Sequence, residues 1–564
     1  MFKGHPRGLY VAFFANMGER FGFYTMIAIF VLFLQAKYGF DSGRAGQIYG
    51  GFLAAVYFLP LIGGLLADRV WGYGKTISIG LVTMFAGYFL LAIPSARGQD
   101  LWLVIAALFV ISLGTGLFKG NLQALVGNMY DDPKYSNIRD IAFNIFYMGI
   151  NIGAMFAPTA ARAVYGYVLR SAGYTYDQSI PALANKLLEG TATNQNITEL
   201  LDLARNQVSG ITESGLFNFS DKYINTLSKA YHLGFGVACI SLIVSMLIFW
   251  GFRRYYKHAD LTEKQKAKSE EHKSTLITLT PEQTRSRVNA LLMVFGVVIF
   301  FWMAFHQNGF MMTMFARDYT QKIVPRDVYF WFDLWGLLSL GLSIGGLVFL
   351  LRKATPRRDR IIAAAVFVVF GYLAFLRISS YSDYDKFTPE LFQHLNPFFI
   401  VALTPIIVGF FSWLNRKGKE PSAPGKIGIG MLITSLGFLI LVIGSIQLLG
   451  YSPHDIGGIR IPDESLAVTP YWLIGTYFTL TVAELFLSPM GISFVSKVSP
   501  PKYKGFLQGG WLAATAVGSY LVGVMGIPWK NLPLWASWAV LSVFCLISAG
   551  VIFSVLKRLE RATQ

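Results

Sequence analysis

Three polar side chains interrupt the first long apolar stretch of the chain. The stretch runs from about Leu9 to Gln35, which is long enough to cross a bilayer as a helix. Asn16 lies three residues before Glu19 and four before Arg20, so the three side chains share one helix face. A charge at mid-bilayer costs about 2.5–3.5 kcal/mol on insertion scales, and such groups usually face a bundle interior or a water-filled path. We expect this face to line a polar pathway.

Charged side chains also interrupt two later apolar stretches. Lys119 lies in the fourth stretch and Glu484 in the twelfth. Together with Glu19 and Arg20 they place mid-span charges on three helices, which favours a functional site over purely structural pairing. An arginine offers a carboxylate a planar fork and a lysine offers it a mobile point charge, whereas a glutamate can receive an ammonium group.

The composition predicts a polytopic membrane protein. The mean hydropathy is +0.49 over 564 residues, which is unusual for a soluble chain. Fourteen apolar stretches are candidate membrane-spanning helices. They are Leu9–Gln35, Ala45–Leu66, Thr76–Ala92, Leu101–Val126, Ile141–Ala160, Leu233–Phe252, Val288–Phe315, Tyr329–Leu351, Ile361–Leu376, Leu395–Trp413, Ile427–Leu449, Tyr471–Val495, Phe506–Met525 and Trp535–Leu556.

The basic residues predict the orientation in the membrane. If the N-terminus, with Lys3 and Arg7, is cytoplasmic and the spans alternate, almost every basic cluster falls on the cytoplasmic side. This placement explains the net charge of +17 without a nucleic-acid partner. We therefore expect a protein of the plasma membrane or bacterial inner membrane, embedded in the lipid bilayer, with both termini cytoplasmic.

No cofactor, metal or catalytic chemistry is indicated. The two cysteines, Cys239 and Cys545, both lie within apolar stretches, and no Ser/His/Asp, Cys/His or metal-ligand cluster has a usable spacing. We predict that the chain is not an enzyme.

Two long polar segments divide the chain. Residues 166–229 form a predicted extracytoplasmic insertion, with a helical pattern at Ile197–Val208, that serves as a small cap or as a partner-binding surface. Residues 254–287 are rich in charged residues, and we predict that they form a cytoplasmic linker. The predicted organisation is thus an N-terminal six-helix lobe (1–253), the linker, and a C-terminal lobe (288–564).

Several motifs carry a resemblance to known transporters. The segment Gly63–Lys75, between the second and third stretches, resembles the loop signature of the major facilitator superfamily. Further motifs resemble the proton-dependent oligopeptide transporter (POT, peptide transporter) family. They are Gly114–Asn121, Phe146–Ala154, Leu395–Ile400, Glu484–Ser493 and Gly510–Ala513. The matches run in order over nearly the whole chain outside the two long polar segments.

This resemblance implies an all-α polytopic membrane protein with the major facilitator fold. It also implies import of di- and tripeptides in symport with protons, by alternating access around a site between two six-helix lobes. Small peptides and protons are then the partners, and we expect a monomer. The implied substrate-binding residues are Arg20, Tyr24, Tyr57, Lys119, Asn151, Asn396, Glu484, Ser488 and Trp511, with Trp302 as a further lining residue. The implied proton-coupling residues are Glu19, Lys119, His306 and Glu484.

Some of these assignments have structural alternatives. Asn151 and Asn396 carry donors and acceptors that suit a peptide backbone, but an amide in a membrane helix often bonds a neighbouring helix instead. Tyrosines and tryptophans often serve packing or interfacial anchoring, so Tyr24, Tyr57 and Trp511 depend on the resemblance alone.

The chain departs from the family pattern at three positions. The first acid of the Glu-x-x-Glu-Arg motif is Asn16, and a first-helix arginine and a seventh-helix acid that would form an ion pair are replaced by Ile27 and His306. Because both members of the ion pair are replaced, neither leaves a buried charge without its partner. We expect coupling to persist through Glu19, Lys119 and Glu484. His306 titrates near pH 6.5 when unperturbed; it either contributes or acts only as a hydrogen-bonding pore residue.

An extra transmembrane hairpin is predicted at residues 329–376. Bacterial relatives commonly carry two additional helices in the linker, but here the linker is too short and too polar. Asp333 and Arg377 flank this hairpin without family counterparts, and we expect them to pair structurally.

Two other functions stay open. The chain is alternatively a transporter of another small zwitterion or anion with altered or absent proton coupling. A third possibility is a membrane sensor or enzyme that uses the insertion at 166–229. The lack of a catalytic cluster argues against an enzyme, and the set of buried polar positions argues against a sensor.

Overall fold

Helices dominate the computed structural model, which describes residues 4–132, 134–135, 138–260, 280–352, 356–448, 467–500 and 504–561. Within these ranges the sheet content is one antiparallel pair of short strands, β1 (Ile323–Pro325) and β2 (Tyr384–Lys386), with Val324 opposite Asp385. The predicted all-α membrane fold is confirmed.

The first half of the chain forms a bundle with a small helical insertion. In it, α1 packs against α5 and α8, while α4 packs against α2 and α3. A single π-helical segment, Ala67–Trp71, follows α2. The helices are α1 (Arg7–Tyr38), α2 (Ser42–Leu66), α3 (Tyr73–Ala92), α4 (Leu101–Met129), α5 (Arg139–Ser171), α6 (Ile180–Leu188), α7 (Asn194–Arg205) and α8 (Leu216–Gly251).

The insertion is more helical than the sequence pattern suggests. α5 extends to Ser171 and α8 begins at Leu216, so both enter the range predicted for the insertion. α8 has 36 residues, about 54 Å at 1.5 Å per residue, which exceeds the hydrocarbon thickness of about 30 Å. The helical pattern at Ile197–Val208 corresponds to α7, whose first turn is held by a capping box between Thr193 and Asn196. We call the end of the molecule that carries this insertion the outer end.

The second half forms another bundle plus a peripheral hairpin. Short 3-10 turns occur at Phe330–Phe332 and Pro389–His394. The helices are α9 (Pro281–Phe305), α10 (Met311–Asp318), α11 (Arg326–Tyr329), α12 (Leu334–Leu351), α13 (Arg357–Ser379), α14 (Leu395–Arg416), α15 (Ala423–Ile446), α16 (Tyr471–Val498), α17 (Lys504–Val524), α18 (Gly526–Asn531), α19 (Leu534–Ser554) and α20 (Leu556–Arg561).

Thirteen helical segments in the described residues are long and apolar enough to cross a membrane. Each coincides with one of the fourteen predicted stretches. The remaining stretch, Tyr471–Val495, coincides with α16, a helix of 28 residues. The predicted sequence of spans therefore matches the helices of the structure.

One predicted span is not a continuous helix. Val288–Phe315 is divided into α9 and α10 by a 3-10 turn at His306–Gly309. The turn lies close to α2, because a Cβ atom at Gly309 would fall 2.1 Å from the hydroxyl of Tyr49. Only a glycine permits this approach, which holds His306 against the first lobe.

The two lobes meet along α2 and α17. Glycines allow close contact, since a Cβ atom at Gly523 would fall 2.1 Å from the carbonyl oxygen of Gly46. A further contact between the lobes joins α5 to α14. In membranes, small residues at such interfaces replace the hydrophobic driving force with close backbone packing.

The extra hairpin consists of α12 and α13, as predicted, and these helices pack mainly on each other. Arg377 Nε donates to Asp333 Oδ2 at 2.8 Å, and the hydroxyl of Tyr381 donates to the same oxygen at 2.6 Å. The predicted structural pairing of Asp333 with Arg377 is confirmed.

The predicted linker falls largely on residues 261–279, which lie outside the described residues. At its start, Asp260 accepts a hydrogen bond of 2.8 Å from the backbone N–H of Gly74 at the beginning of α3. At its end, a capping box between Thr280 and Gln283 begins α9. The division into two lobes and a linker stays a prediction.

Candidate functional site

The polar face of α1 contains a tight ion pair. Arg20 donates from Nε to Glu19 Oε2 at 2.5 Å and from Nη2 to Glu19 Oε1 at 2.6 Å. Adjacent residues do not face each other on a helix, so the long arginine side chain folds back to form this bidentate contact. Its guanidinium also lies 4.7 Å from the centre of the Phe23 ring. Both charges are almost fully buried, so each depends on the other for solvation.

Asn16 lies on the same buried face. Its Nδ2 atom has no hydrogen-bond partner within the described residues. A buried amide donor without a partner is costly, so this atom is available to a ligand or water. Asn16, Glu19 and Arg20 are all buried, and the expectation that their face lines a polar pathway stays a prediction.

A second cluster of polar side chains extends from α4 to the second lobe. Lys119 Nζ lies 4.0 Å from the centre of the Tyr57 ring, and the Tyr57 hydroxyl is 3.5 Å from His306 Nε2. The rings of Tyr57 and His306 are stacked, with centroids 5.3 Å apart. On its other nitrogen, His306 Nδ1 is 3.0 Å from the hydroxyl of Ser519. Lys119 makes no ion pair with any residue that the structure describes.

The aromatic neighbours of His306 complete this group. The ring of Trp302, one turn earlier in α9, stacks on His306 with centroids 5.0 Å apart. Trp302 Nε1 is buried and has no partner in the described residues. Ile27 replaces the expected first-helix arginine, and its Cγ2 would lie 3.5 Å from a Cβ atom at Gly309. An apolar side chain therefore packs against the turn that carries His306.

Glu484 forms a third polar group at the interface of α5, α14 and α16. Its Oε1 accepts a hydrogen bond of 3.1 Å from the Tyr147 hydroxyl, and its Oε2 accepts one of 3.0 Å from Asn396 Nδ2. Asn396 Nδ2 also lies 3.0 Å from the hydroxyl of Thr481. Glu484 is buried and its two hydrogen-bond donors are neutral. Among the described residues, it has no ion pair.

The charged groups are close enough to act on one another. Lys119 interacts electrostatically with both Arg20 and Glu19. Tyr24 interacts with Arg20 and Glu19 on its own helix and with Glu484 of the second lobe. Tyr24 is therefore near enough to charged groups of both lobes to interact with them.

The other predicted site residues have varied surroundings. Asn151 Nδ2 donates to the carbonyl oxygen of Tyr147 at 3.1 Å, within α5. The buried hydroxyl of Ser488, one turn after Glu484, has no partner in the described part of the chain. The far edge of the Trp511 ring lies against α16, since a Cβ atom at Gly491 would fall 1.9 Å from its Cη2 atom. No described contact joins Trp511 to the charged groups.

Three residues of the site have no role in the sequence analysis. Tyr147 and Thr481 belong to the Glu484 group, and Ser519 belongs to the His306 group. Helical spacing contains a weak signal for each, because Tyr147 lies four residues before Asn151, Thr481 lies three before Glu484, and Ser519 lies eight after Trp511. Their partners are on other helices, which spacing along one helix does not reveal.

Comparison with known proteins finds similarity to one family. The sequence profile described as the POT family matches residues 74–184 and 367–527, in both lobes. The peptide transporter YePEPT of Yersinia enterocolitica is 26% identical over 100% of this chain and 97% of its own length. Dipeptide and tripeptide permease A of Escherichia coli is 24% identical over 93% of this chain and 85% of its own. The chain is similar to the POT family over these two segments.

Solved structures support the same fold. A crystal structure of a peptide transporter POT mutant in complex with alafosfalin superposes with a TM-score of 0.64 at 23% identity, covering 100% of this chain and 96% of the other. The major facilitator fold predicted from the motifs is thus confirmed. The POT relatives are transporters, which confirms the prediction that the chain is not an enzyme. It is a membrane protein with many apolar helices. No group of three or more His, Cys, Asp or Glu side chains that could hold a metal ion occurs in the described residues.

Proposed function

We propose that this protein imports di- and tripeptides in symport with protons, as a monomer that works by alternating access. The observation that carries the proposal is the division of charge between the lobes. Arg20 and Lys119 provide cations in the first lobe, and the buried, unpaired Glu484 provides an anion in the second. Tyr24 interacts with groups on both sides. A zwitterion that spans this gap neutralises both sides at once.

Lys119 is the principal receptor for the peptide carboxylate in this conformation. Its ammonium makes no ion pair in the described residues and lies over the ring of Tyr57. Arg20 is engaged by Glu19 through two of its nitrogens. The peptide ammonium group binds Glu484, with its position set by Asn396 and Tyr147. Asn151 and Ser488 bind the peptide backbone, and Tyr24, Tyr57, Trp302 and Trp511 line the space for side chains.

Glu19 couples the proton to the substrate. A proton on Glu19 removes the charge that holds Arg20, and the guanidinium is then free to join Lys119 on the peptide carboxylate. Loss of that proton restores the bidentate pair and withdraws Arg20 from the substrate. Glu484 and Lys119 titrate in the same cycle, because both carry buried charge that the substrate compensates.

His306 has a narrower role than the two glutamates. Both of its ring nitrogens face hydroxyl groups, of Tyr57 and Ser519, and its ring is held between Tyr57 and Trp302. This setting suits a hydrogen-bonding residue that joins the lobes. Proton-driven accumulation of dialanine by His306→Ala at the wild-type level would remove the histidine from the coupling mechanism.

A second candidate is transport of another small zwitterion or anion with altered coupling. The observation that favours it is the loss of titratable groups: Asn16 stands where relatives carry an acid, and Ile27 and His306 stand where relatives carry an ion pair. A POT-family transporter with 5-aminolevulinic acid bound is among the structural neighbours, with a TM-score of 0.64 at 20% identity.

The test is uptake in proteoliposomes with imposed pH and voltage gradients. Dialanine, trialanine and free alanine serve as competitors in parallel. We expect radiolabelled dialanine to accumulate with an inward proton gradient, and both peptides to compete while alanine does not. Absence of peptide uptake and of competition under either gradient would refute the proposal, and gradient-independent exchange would favour the second candidate.

A further inference from the structure

A cavity lies at the outer end of the molecule, where the two lobes meet the insertion. Its volume is about 190 Å³. α5 contributes one wall, and the segment that leads into α6 contributes a second. The third wall comes from the second half of the chain, on either side of the strand pair. The charged residues that line the cavity are Arg162, Arg170, Asp177, Lys322 and Lys386.

The cavity carries an excess of positive charge. Arg162, Arg170, Lys322 and Lys386 all line it. Lys322 donates to the hydroxyl of Ser179 at 2.9 Å. The side chains of the other three make no hydrogen bond or ion pair with any residue in the described part of the chain.

Two carboxylates lie in or beneath the cavity, and both already accept hydrogen bonds. Asp177 Oδ1 accepts one of 2.9 Å from the backbone N–H of Ser179. Glu390 is fully buried and accepts hydrogen bonds from the hydroxyls of Tyr165 and Thr388. Arg162, Arg170 and Lys386, whose side chains have no described partner, therefore share one cavity, where like charges repel each other.

We propose that this cavity binds a small oxyanion with two negative charges, of the class of inorganic phosphate or a phosphate monoester headgroup. Such an anion would offset the repulsion among Arg162, Arg170 and Lys386. Arginine forks and lysine ammonium groups are the side chains that bind phosphate oxygens in proteins. The cavity has room for several waters at about 30 Å³ each, and hence for one tetrahedral oxyanion. This site is separate from the Arg20–Lys119–Glu484 site and does not depend on the proposed substrate.

The ligand would bridge the two halves of the chain. Arg162 and Arg170 belong to α5, whereas Lys322 and Lys386 belong to the second half. An anion that contacts both pairs binds only while the outer ends are together. It therefore stabilises that arrangement by its difference in affinity between the closed and open states.

The binding test uses the full chain in nanodiscs of phosphatidylcholine, with inorganic phosphate as the probe in titration calorimetry. Arg170→Gln/Lys386→Gln removes two exposed cations that make no described side-chain hydrogen bond, so the variant should fold. We expect its affinity for phosphate to fall about tenfold or more, because charge-assisted hydrogen bonds are lost. Arg170→Lys/Lys386→Arg preserves the charge and should restore binding.

Two controls locate the bound anion. Lys222→Gln removes an exposed cation of α8 that does not line the cavity, and Lys119→Gln removes the cation of the interlobe site. Both should leave phosphate affinity within about twofold of wild type. The proposal is overturned if the double variant binds like wild type, if Lys119→Gln abolishes binding, or if Lys222→Gln weakens it as much as the double variant does.

The lipid composition separates the two sources of the anion. Nanodiscs that contain phosphatidic acid, whose headgroup is a phosphate monoester, are compared with those of phosphatidylcholine alone. If phosphatidic acid suppresses phosphate binding in the wild type, the site takes a lipid headgroup. If it does not, the site takes a free anion. Either result supports an oxyanion site, provided that the double variant has lost it.

Discussion

At the scale of single residues, the proposed mechanism requires Glu19 to compete with the substrate for Arg20. The glutamate accepts two hydrogen bonds from the guanidinium and lies in the next position of the same helix. Removing one partner of a buried ion pair costs about 3–5 kcal/mol, because the other charge is left uncompensated. A peptide carboxylate can therefore take Arg20 only if Glu19 gives up its charge. In the proposed mechanism, this exchange links proton binding to substrate binding.

Glu19→Gln tests this exchange. The amide keeps one acceptor for Arg20 but carries no charge and binds no proton in the physiological range. We expect dialanine accumulation driven by a pH gradient to fall about tenfold or more, whereas exchange of labelled for unlabelled dialanine without a gradient persists. Both are measured in proteoliposomes. Full gradient-driven accumulation by a folded variant would show that Glu19 does not carry the proton.

Glu484→Gln tests the receptor for the peptide ammonium group. The variant is nearly isosteric and retains hydrogen-bond capacity towards Asn396 and Tyr147, so the helices should pack as before. Hydrogen bonds to charged groups contribute about 1.5–3 kcal/mol, so we expect the KM for dialanine to rise about tenfold or more.

The matched control is Glu213→Gln, on the exposed turn before α8. It removes the same charge from the surface and should leave dialanine uptake within about twofold of wild type. If both variants transport equally well, Glu484 is not the ammonium receptor.

Much of the candidate site was accessible from the sequence, because charges within apolar stretches are rare and conspicuous. Arg20, Lys119 and Glu484 stand out for this reason. Their hydrogen-bond partners were not accessible, because a tyrosine such as Tyr147 or a serine such as Ser519 is common in membrane helices. Which of them contacts a charge depends on packing between helices. The pairing of Glu19 with Arg20 was also missed, since adjacent residues on a helix do not normally face each other.

At the scale of elements, the hairpin of α12 and α13 depends on few contacts outside itself. Asp333 precedes α12 and accepts hydrogen bonds from Arg377 of α13 and from Tyr381 beyond it. The carboxylate is nearly buried, although Arg377 is about half exposed. This cluster joins the outer ends of the two helices, and its distance in sequence from the interlobe charges suggests a structural role.

Asp333→Ala should destabilise the hairpin without abolishing transport. A buried hydroxyl and an arginine lose their acceptor, which costs about 1–3 kcal/mol. The matched control is Asp383→Ala, which removes an exposed ion pair with Arg326 and should cost at most about 1 kcal/mol. Thermal unfolding in detergent measures the difference, and dialanine uptake is measured beside it. Equal melting temperatures for the two variants would contradict the structural role of the Asp333 cluster.

The order of the helices was predictable, because apolar length is set by the bilayer thickness. The break between α9 and α10 was not. The apolar stretch is continuous through His306, and the break follows from the approach of Gly309 to Tyr49. Likewise, the first turns of α8, which lie in the predicted insertion, are not part of an apolar stretch, and α8 packs against α6. Hydropathy reports where a helix must be apolar and not where it must end.

At the scale of the whole molecule, polar contacts join the lobes at the outer end. Arg317 Nη1 donates to Gln35 Oε1 at 2.6 Å, and Tyr165 donates to Glu390. Lys530 Nζ donates to Asp41 Oδ2 at 2.9 Å. In the proposed alternating-access cycle, every one of these contacts breaks when the outer end opens. Each contact therefore biases the equilibrium between the closed and open arrangements.

Asp41 allows one of these contacts to be examined in isolation. Its Oδ1 accepts a hydrogen bond of 2.7 Å from the backbone N–H of Arg44 at the start of α2, while Oδ2 binds Lys530. Burial by itself would raise the pKa of Asp41. The hydrogen bond from Arg44 and the nearby Lys530 ammonium outweigh that effect and lower the pKa below its usual value. Asn caps a helix about as well as Asp, so Asp41→Asn removes the ion pair and keeps the cap.

The lowered pKa fixes the pH range in which this ion pair contributes. A depressed carboxylate contributes fully above its unfolded pKa of about 3.9 and loses its contribution as the pH falls through the folded value. Between about pH 5 and 8 the Asp41–Lys530 contact is therefore constant. If the fraction of molecules with an open outer end depends on pH in that interval, other groups must cause the dependence. The midpoint pH of that opening should therefore be the same in Asp41→Asn as in the wild type.

The distance between the lobes at the outer end can be measured between spin labels attached at Ser209 and Asn531. Cys239 and Cys545 are first replaced so that only these two positions are labelled. Exposed ion pairs contribute up to about 1 kcal/mol, so Asp41→Asn should raise the open-to-closed ratio by at most about fivefold, equally at pH 5 and pH 8. Lys530→Gln should reproduce this shift, because it removes the other partner. A shift that appears only at one end of the pH range would show that Asp41 titrates within it, contrary to its hydrogen bonding.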